Sequence, residues 1–171
     1  MLVLLHVRHD RPAEGGGAHT RPDGLRRHQP PLRPDAGHHR ADASLVVAPL
    51  SHGAGIHQLA QVAAGTKTVL TAGERLDPEE VWALVERWRI ANLFTVPTIV
   101  KLLTEHPAVE AHDHSSLRHV IYAGAPMYRA DQQHALRVLG PVLVQYFGLG
   151  EVTGNITVLR PACTRPRTAP L

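Results

Sequence analysis

Residues 118–148 read RHVIYAGAPMYRADQQHALRVLGPVLVQYFG. Arg118–Tyr122 is a short apolar, β-branched run and is predicted as a strand that ends in the turn-forming Ala123-Gly124-Ala125-Pro126. Arg129–Leu139 follows as a helix, stopped by Gly140-Pro141. Val142–Phe147 is a second strand, closed by Gly148. Strand, helix and strand within this length make a βαβ unit, and a βαβ unit implies parallel strands.

The same alternation extends toward the amino end. Leu45–Leu50 and Lys67–Thr71 are of strand length and flank a small-residue segment, Gly53–Ala64, predicted as helix. Asp77-Pro78-Glu79-Glu80 combines an N-cap, a proline at the first helical position and acids in the first turn. Val81, Leu84, Val85 and Trp88 then recur at i, i+3, i+4 and i+7, so a helix over Pro78–Arg89 should bury that face. Asn92–Val96 is a further strand, and Pro97 starts a helix carrying Ile99, Leu102 and Leu103. The fold class expected for residues 41–161 is α/β: a partial, mostly parallel sheet with flanking helices. Ligands of such sheets bind beyond the carboxyl ends of strands. Ser51-His52-Gly53, Gly124–Met127 and Gly148–Glu151 lie there.

Residues 1–40 differ. The chain carries a net charge of +3, and all of that excess lies in these residues. Pro12, Pro22, Pro30, Pro31 and Pro34 interrupt any helix, and beyond the first five residues Val7, Leu25 and Leu32 are the only large aliphatic side chains. Too little apolar surface is available to offset ordering entropy, so a disordered arm is expected. Arg8, Arg11, Arg21, Arg26, Arg27 and Arg33 could contact nucleic-acid phosphates, and His6, His9, His19, His28, His38 and His39 could bind metal. Neither pattern has aromatic partners or helical ligand spacing, and a solvated tail is the plainer reading. The single cysteine, Cys163, excludes an internal disulfide and a cysteine zinc cage. No apolar run approaches the ~20 residues of a membrane span. A cytoplasmic protein is expected, with an irregular tail over residues 162–171.

PLSHGAG (49–55), VPT (96–98), SSLRHVIYAGAPM (115–127) and YFGLGE (146–151) occur in one order and spacing. Together they resemble the AMP-forming acyl-CoA synthetases, the adenylate-forming family that includes fatty-acid–CoA ligases. The resemblance covers residues 41 to about 159. It implies ATP-dependent activation of a carboxylic acid to an acyl-adenylate, followed by thioester formation with coenzyme A, with ATP/AMP, Mg²⁺ and CoA as cofactors. The partner implied is a small carboxylic acid, a fatty acid by the small residues Gly53, Ala54, Gly55, Ala123 and Ala125; no nucleic acid is expected.

By that resemblance Gly124, Ala125 and Pro126 would line the adenosine pocket and Phe147 would stack on adenine. Gly148 and Gly150 would complete the nucleotide side. Glu151 would be the Mg²⁺ ligand. His52 would sit beside the acyl carboxylate and α-phosphate. Gly53, Thr95, Val96, Pro97 and Ala123 would wall the acyl tunnel. Gly150 departs from the family's threonine at that place, and Thr153 is the nearest substitute.

The family's glycine-rich phosphate loop ending in lysine should lie upstream of PLSHGAG, where this chain has HVRHDRPAEG (6–15). Codons for those residues, read one nucleotide later, can spell TSGTTGRPKG. Residues 1–40 are therefore expected to be out of frame and residues 41–161 to be part of an adenylation domain. The chain is expected to be an inactive fragment. The alternatives are a remnant that binds nucleotide or acyl group without chemistry, and a small α/β domain carrying a basic nucleic-acid- or metal-binding arm.

Overall fold

The computed structural model describes residues 41–73, 75–152 and 154–161, so the expectations for the arm, for Thr153 and for the tail lie outside the described residues. The order of elements is β1 (Ala43–Val46), α1 (Gly53–Ala63), β2 (Lys67–Leu70), α2 (Pro78–Trp88), β3 (Ile90–Thr95), α3 (Pro97–Glu105), α4 (Ala108–Ala111), β4 (His119–Tyr122), α5 (Arg129–Leu139), β5 (Leu143–Leu149) and β6 (Gly154–Leu159). A 3₁₀ turn, Gly150–Val152, joins the last two strands.

The strands form one sheet in the order β2-β1-β3-β4-β5-β6, parallel except for the antiparallel β6. The chain moves outward from β1 to β2, then returns past β1 to place β3 on its other side. Crossover connections in parallel sheets keep one hand, so this reversal puts α1 on the opposite face from the helices that follow. Side chains bear this out. Leu45, Val69, Leu93, Val120 and Leu143 stand in register and join one apolar core with Val81, Trp82 and Val85 of α2, Val100 and Leu103 of α3, and Ala135 of α5. The alternate residues Ser44, Thr68 and Asn92 face α1, because neighbours along a strand point to opposite faces.

The α2 helix forms as its sequence predicts. Asp77 Oδ1 accepts from the Glu79 amide at 3.0 Å, Pro78 occupies the first position, and Arg89 ends the helix in the left-handed region at φ 48°. Val81, Leu84 and Val85 are buried and Trp88 packs partly against the core. Trp82, outside the expected stripe, is only 1% exposed and donates its indole N–H to Leu103 O at 3.0 Å. That hydrogen bond lets a wide ring turn inward where spacing alone placed the helix flank. In α3 the buried residues are Pro97, Val100, Leu103 and Thr104, with Ile99 partly buried against the core and Leu102 at 45% exposure, so of the three apolar residues named for this helix Leu102 faces outward.

The first strand also sits earlier than expected, because Pro49 and Leu50 enter a turn in which the His52 amide donates to Pro49 O. The antiparallel β6 was not predicted. Among the described residues no helix is long and apolar enough to cross a membrane.

Candidate active site

The reversal of winding order, from outward at β2 to the other side at β3, falls between the parallel strands β1 and β3. In an open parallel sheet this switch point leaves a crevice, since the two flanking connections depart to opposite faces. The segment after β1 carries His52 and Gly53, and the end of β3 carries Thr95, Val96 and Pro97. The predicted residues from β4 and β5 are brought alongside by the register Thr95↔Tyr122 and Tyr122↔Gln145.

Contacts tie the strand ends together. The Ala123 amide donates to Thr95 O at 3.4 Å, so the turn after β4 leans on the end of β3. Gly124 follows with φ +85°, a conformation that side chains with a Cβ rarely adopt, and a Cβ there would lie 3.9 Å from Val96 Cγ1. Gly124, Ala125 and Pro126 are exposed, whereas Thr95, Pro97 and Ala123 are buried and form the wall behind them. Val96 caps α3, its carbonyl accepting from the amides of Ile99 and Val100 at 3.0 Å.

His52 caps α1 through its backbone and its ring is exposed; Ser51 Oγ lies 2.9 Å from its Nδ1. When Ser51 donates to Nδ1, the neutral ring carries its hydrogen on Nε2, from which it can donate a hydrogen bond to an oxyanion. The helix end behind it has no side-chain cap, so its positive partial charge adds to the same potential. Glu151 lies in the turn after β5 and is exposed, and Phe147 is 56% exposed with its ring open for stacking.

Among the described residues no hydrogen bond or ion pair joins His52 to Glu151. Both follow parallel strands, β1 and β5, and so lie at the same edge of the sheet. Among the described residues no group of three metal-ligating side chains surrounds either one. A Mg²⁺ ion fits this arrangement through a single carboxylate, because that ion commonly keeps its waters and takes its other ligands from phosphates.

The sequence did not single out three neighbours of the site. Phe94 and Tyr146 pack ring to ring with centroids 5.8 Å apart, directly below Gly53. His57 stacks on Phe94 at 6.1 Å and donates from Nε2 to Asn92 Oδ1 at 3.1 Å. Alternation within Asn92–Val96 puts Asn92 and Phe94 on one face, which was the available signal. Burial raises the pKa of the Tyr146 phenol.

A family model described as AMP-binding enzyme matches residues 25–170. The chain is similar to the medium/long-chain-fatty-acid–CoA ligase FadD8 of Mycobacterium tuberculosis, 34% identical over 120 residues, which is 67% of this chain and 20% of that protein. It is also similar to a feruloyl-CoA synthase of Amycolatopsis, 33% identical over 69% of this chain and 24% of that one. The solved amide bond synthetase McbA of Marinactinospora thermotolerans superposes with a TM-score of 0.67 at 34% identity, over 72% of this chain and 24% of its own. The chain thus spans about a fifth to a quarter of the length of these relatives. Its β1–β5 segment, with each strand end that builds the crevice, falls inside the family match, and the chain belongs to the AMP-binding enzymes.

Proposed function

We propose that these residues form the acyl- and adenine-facing floor of an acyl-CoA ligase adenylation domain, and that by themselves they bind an acyl-adenylate-type ligand without turning it over. The observation that carries this reading is the meeting of the segments after β1, β3 and β4 at the switch point, with Glu151 placed by β5 on the same edge.

The exposed backbone at Gly124–Pro126 accepts the flat edge of a purine, and Phe147 offers it a ring face. His52 Nε2 donates to an oxygen of the acid or of the α-phosphate. Glu151 supplies one hard oxygen for Mg²⁺, which when bound neutralises charge between the attacking carboxylate and the triphosphate. The acid is then joined to AMP with loss of pyrophosphate, and coenzyme A displaces AMP. The second half of the proposal, binding without turnover, follows from Gly150, which has no hydroxyl for the α-phosphate, and from HVRHDRPAEG standing in place of the phosphate loop. Loss of one preorganised donor costs roughly a hundred- to a thousandfold in rate.

The out-of-frame reading belongs to the same proposal. Its support is that all ten loop positions are reachable from residues 6–15. In the gene, His6 and His9 must both be encoded by CAC, and CAT at either overturns it.

The test of function is titration calorimetry of the chain with AMP, together with a pyrophosphate-release assay using ATP and carboxylic acids. Saturable AMP binding, weakened roughly tenfold or more by Phe147→Ala through lost stacking, is expected, with no pyrophosphate above the blank. No AMP binding overturns the site. Turnover that Glu151→Ala abolishes overturns the claim of binding alone.

A further inference from the structure

We propose that an aromatic floor closes the acyl end of this site, so that the acid it takes is compact, about the size of a benzoate, and not a long alkyl chain; the inference rests on the adenylate-site reading above. Phe94 and Tyr146 project from β3 and β5 toward α1, across the row Phe94↔Ile121↔Val144, with Tyr146 two residues beyond Val144 on the same face. Their centroids lie 5.8 Å apart at an interplanar angle of 33°. From above, Gly53 seals the pair. A Cβ on Gly53 would fall 2.8 Å from Phe94 Cζ and 3.0 Å from the Tyr146 hydroxyl, below any normal contact with the first ring and at the limit with the second.

The gap between the start of α1 and the sheet therefore has no room for a methyl group, and an alkyl chain cannot run down between them. Gly53, one of the small residues that suggested a long tunnel, is small because aromatic rings already occupy the space in front of it.

The two rings differ in freedom. Phe94 is buried and held on its far side by His57, itself bonded to Asn92. Tyr146 is half-buried, and its hydroxyl has no hydrogen-bond partner among the described residues. Tyr146 is thus the ring that sets the depth of the site, its hydroxyl lying against Gly53 at the start of α1. A planar acyl group can lie against that ring edge or face, whereas a flexible chain must displace it.

The test uses the whole chain and two non-hydrolysable probes, benzoyl- and dodecanoyl-sulfamoyl adenosine, with AMP as the control for the nucleotide site. The benzoyl probe is expected to bind the unmodified chain about tenfold or more tighter than the dodecanoyl probe, as a pocket discriminates by fit. Tyr146→Ala should shrink that ratio by about tenfold, and Tyr146→Phe, which keeps the ring, should preserve it. Circular dichroism verifies that the variants are folded. If Tyr146→Ala does not fold, a series of acetyl, hexanoyl and dodecanoyl probes on the unmodified chain decides the matter, with affinity expected to fall beyond the shortest. Equal affinities for benzoyl and dodecanoyl probes, or an unchanged ratio in a folded Tyr146→Ala, overturn the proposal. AMP bound without acyl discrimination overturns this inference alone; failure to bind AMP overturns the adenylate-site reading and this inference with it.

Discussion

The two faces of the sheet are built on different chemistry. On the side of α2, α3 and α5 the contacts are apolar and continuous, from Leu45 through Leu143. On the side of α1 a small apolar cluster of Ala54, Phe94, Ile121, Ala123 and Val144 adjoins a buried polar layer, in which Ser44, Thr68 and Asn92 of the strands meet Gln58, Gln61 and His57 of the helix. Asn92 Nδ2 donates to Gln61 Oε1 at 3.3 Å, Gln58 bonds to Thr68, and Thr66 Oγ donates to Gln61 O at 2.6 Å. The large apolar residues of α1 point the other way, with Ile56 at 52% and Leu59 at 71% exposure. One face carries the stability that comes from excluding water. The other trades that for directional bonds, which hold α1 and its His52–Gly53 start at a fixed place over the crevice.

The largest effect is expected on the apolar face. Trp82→Ala removes the largest fully buried side chain and leaves Leu103 O without its donor. It should cost about 3–5 kcal/mol in chemical denaturation. On the polar face Asn92→Ala leaves His57 and Gln61 short of a partner and should cost about 1–3 kcal/mol. The comparison breaks if Asn92→Ala proves the more damaging of the two. Smaller again is Asp77→Ala, which removes the cap of α2 and should lower stability by about 1 kcal/mol in the same denaturation measurement.

The smallest effect depends on pH. His112 bridges α2 and the loop after α4, its Nδ1 2.7 Å from Glu86 Oε2 and its Nε2 3.5 Å from Glu79 Oε1. The hydrogen bond with Glu86 raises the pKa of His112 above its ordinary 6.5, and the bond with His112, aided by the Asp113 amide, lowers that of Glu86 below 4.5. The histidine's contribution is complete below 6.5 and fades as pH rises through its raised folded value. The glutamate's contribution is present above 4.5 and fades as pH falls through its lowered one. His112→Gln should therefore destabilise most between those two values and cease to matter at alkaline pH, measured by thermal melts across pH. A loss that stays constant with pH would assign the contact to packing alone.

Much of the apolar face was legible in the sequence because each element there announces itself. Asp77-Pro78 marks a start, the stripe from Val81 to Trp88 marks a face, and Gly140-Pro141 marks a stop. The polar face was not legible for a physical reason. Gln58, Gln61 and His57 look like a solvent side when read by hydropathy, and Ile56, Leu59 and Val62 look like a core side; in the fold the two are exchanged. The candidate site residues on strand ends were proposed through motif resemblance, since Gly124 and Glu151 alone are indistinguishable from ordinary turn residues. Phe94 and Tyr146 were missed because Gly53 above them was read as open room, when the glycine reflects close contact. The strand β6 was missed because only its pairing with β5 defines it.

The antiparallel direction of β6 has a consequence for measurement. Since Leu149 pairs with Gly154 and Gln145 with Leu159, the chain turns back at the edge where ligands would sit and leaves from the opposite rim. At ~3.4 Å per strand residue, Arg160 stands on the order of 20 Å from the turn holding Glu151. A fluorophore attached at Arg160 is rigidly coupled to the sheet yet remote from the crevice. Paired with an acceptor on a nucleotide analogue, it would act as a ruler whose reading reports occupancy and whose own chemistry leaves the site untouched.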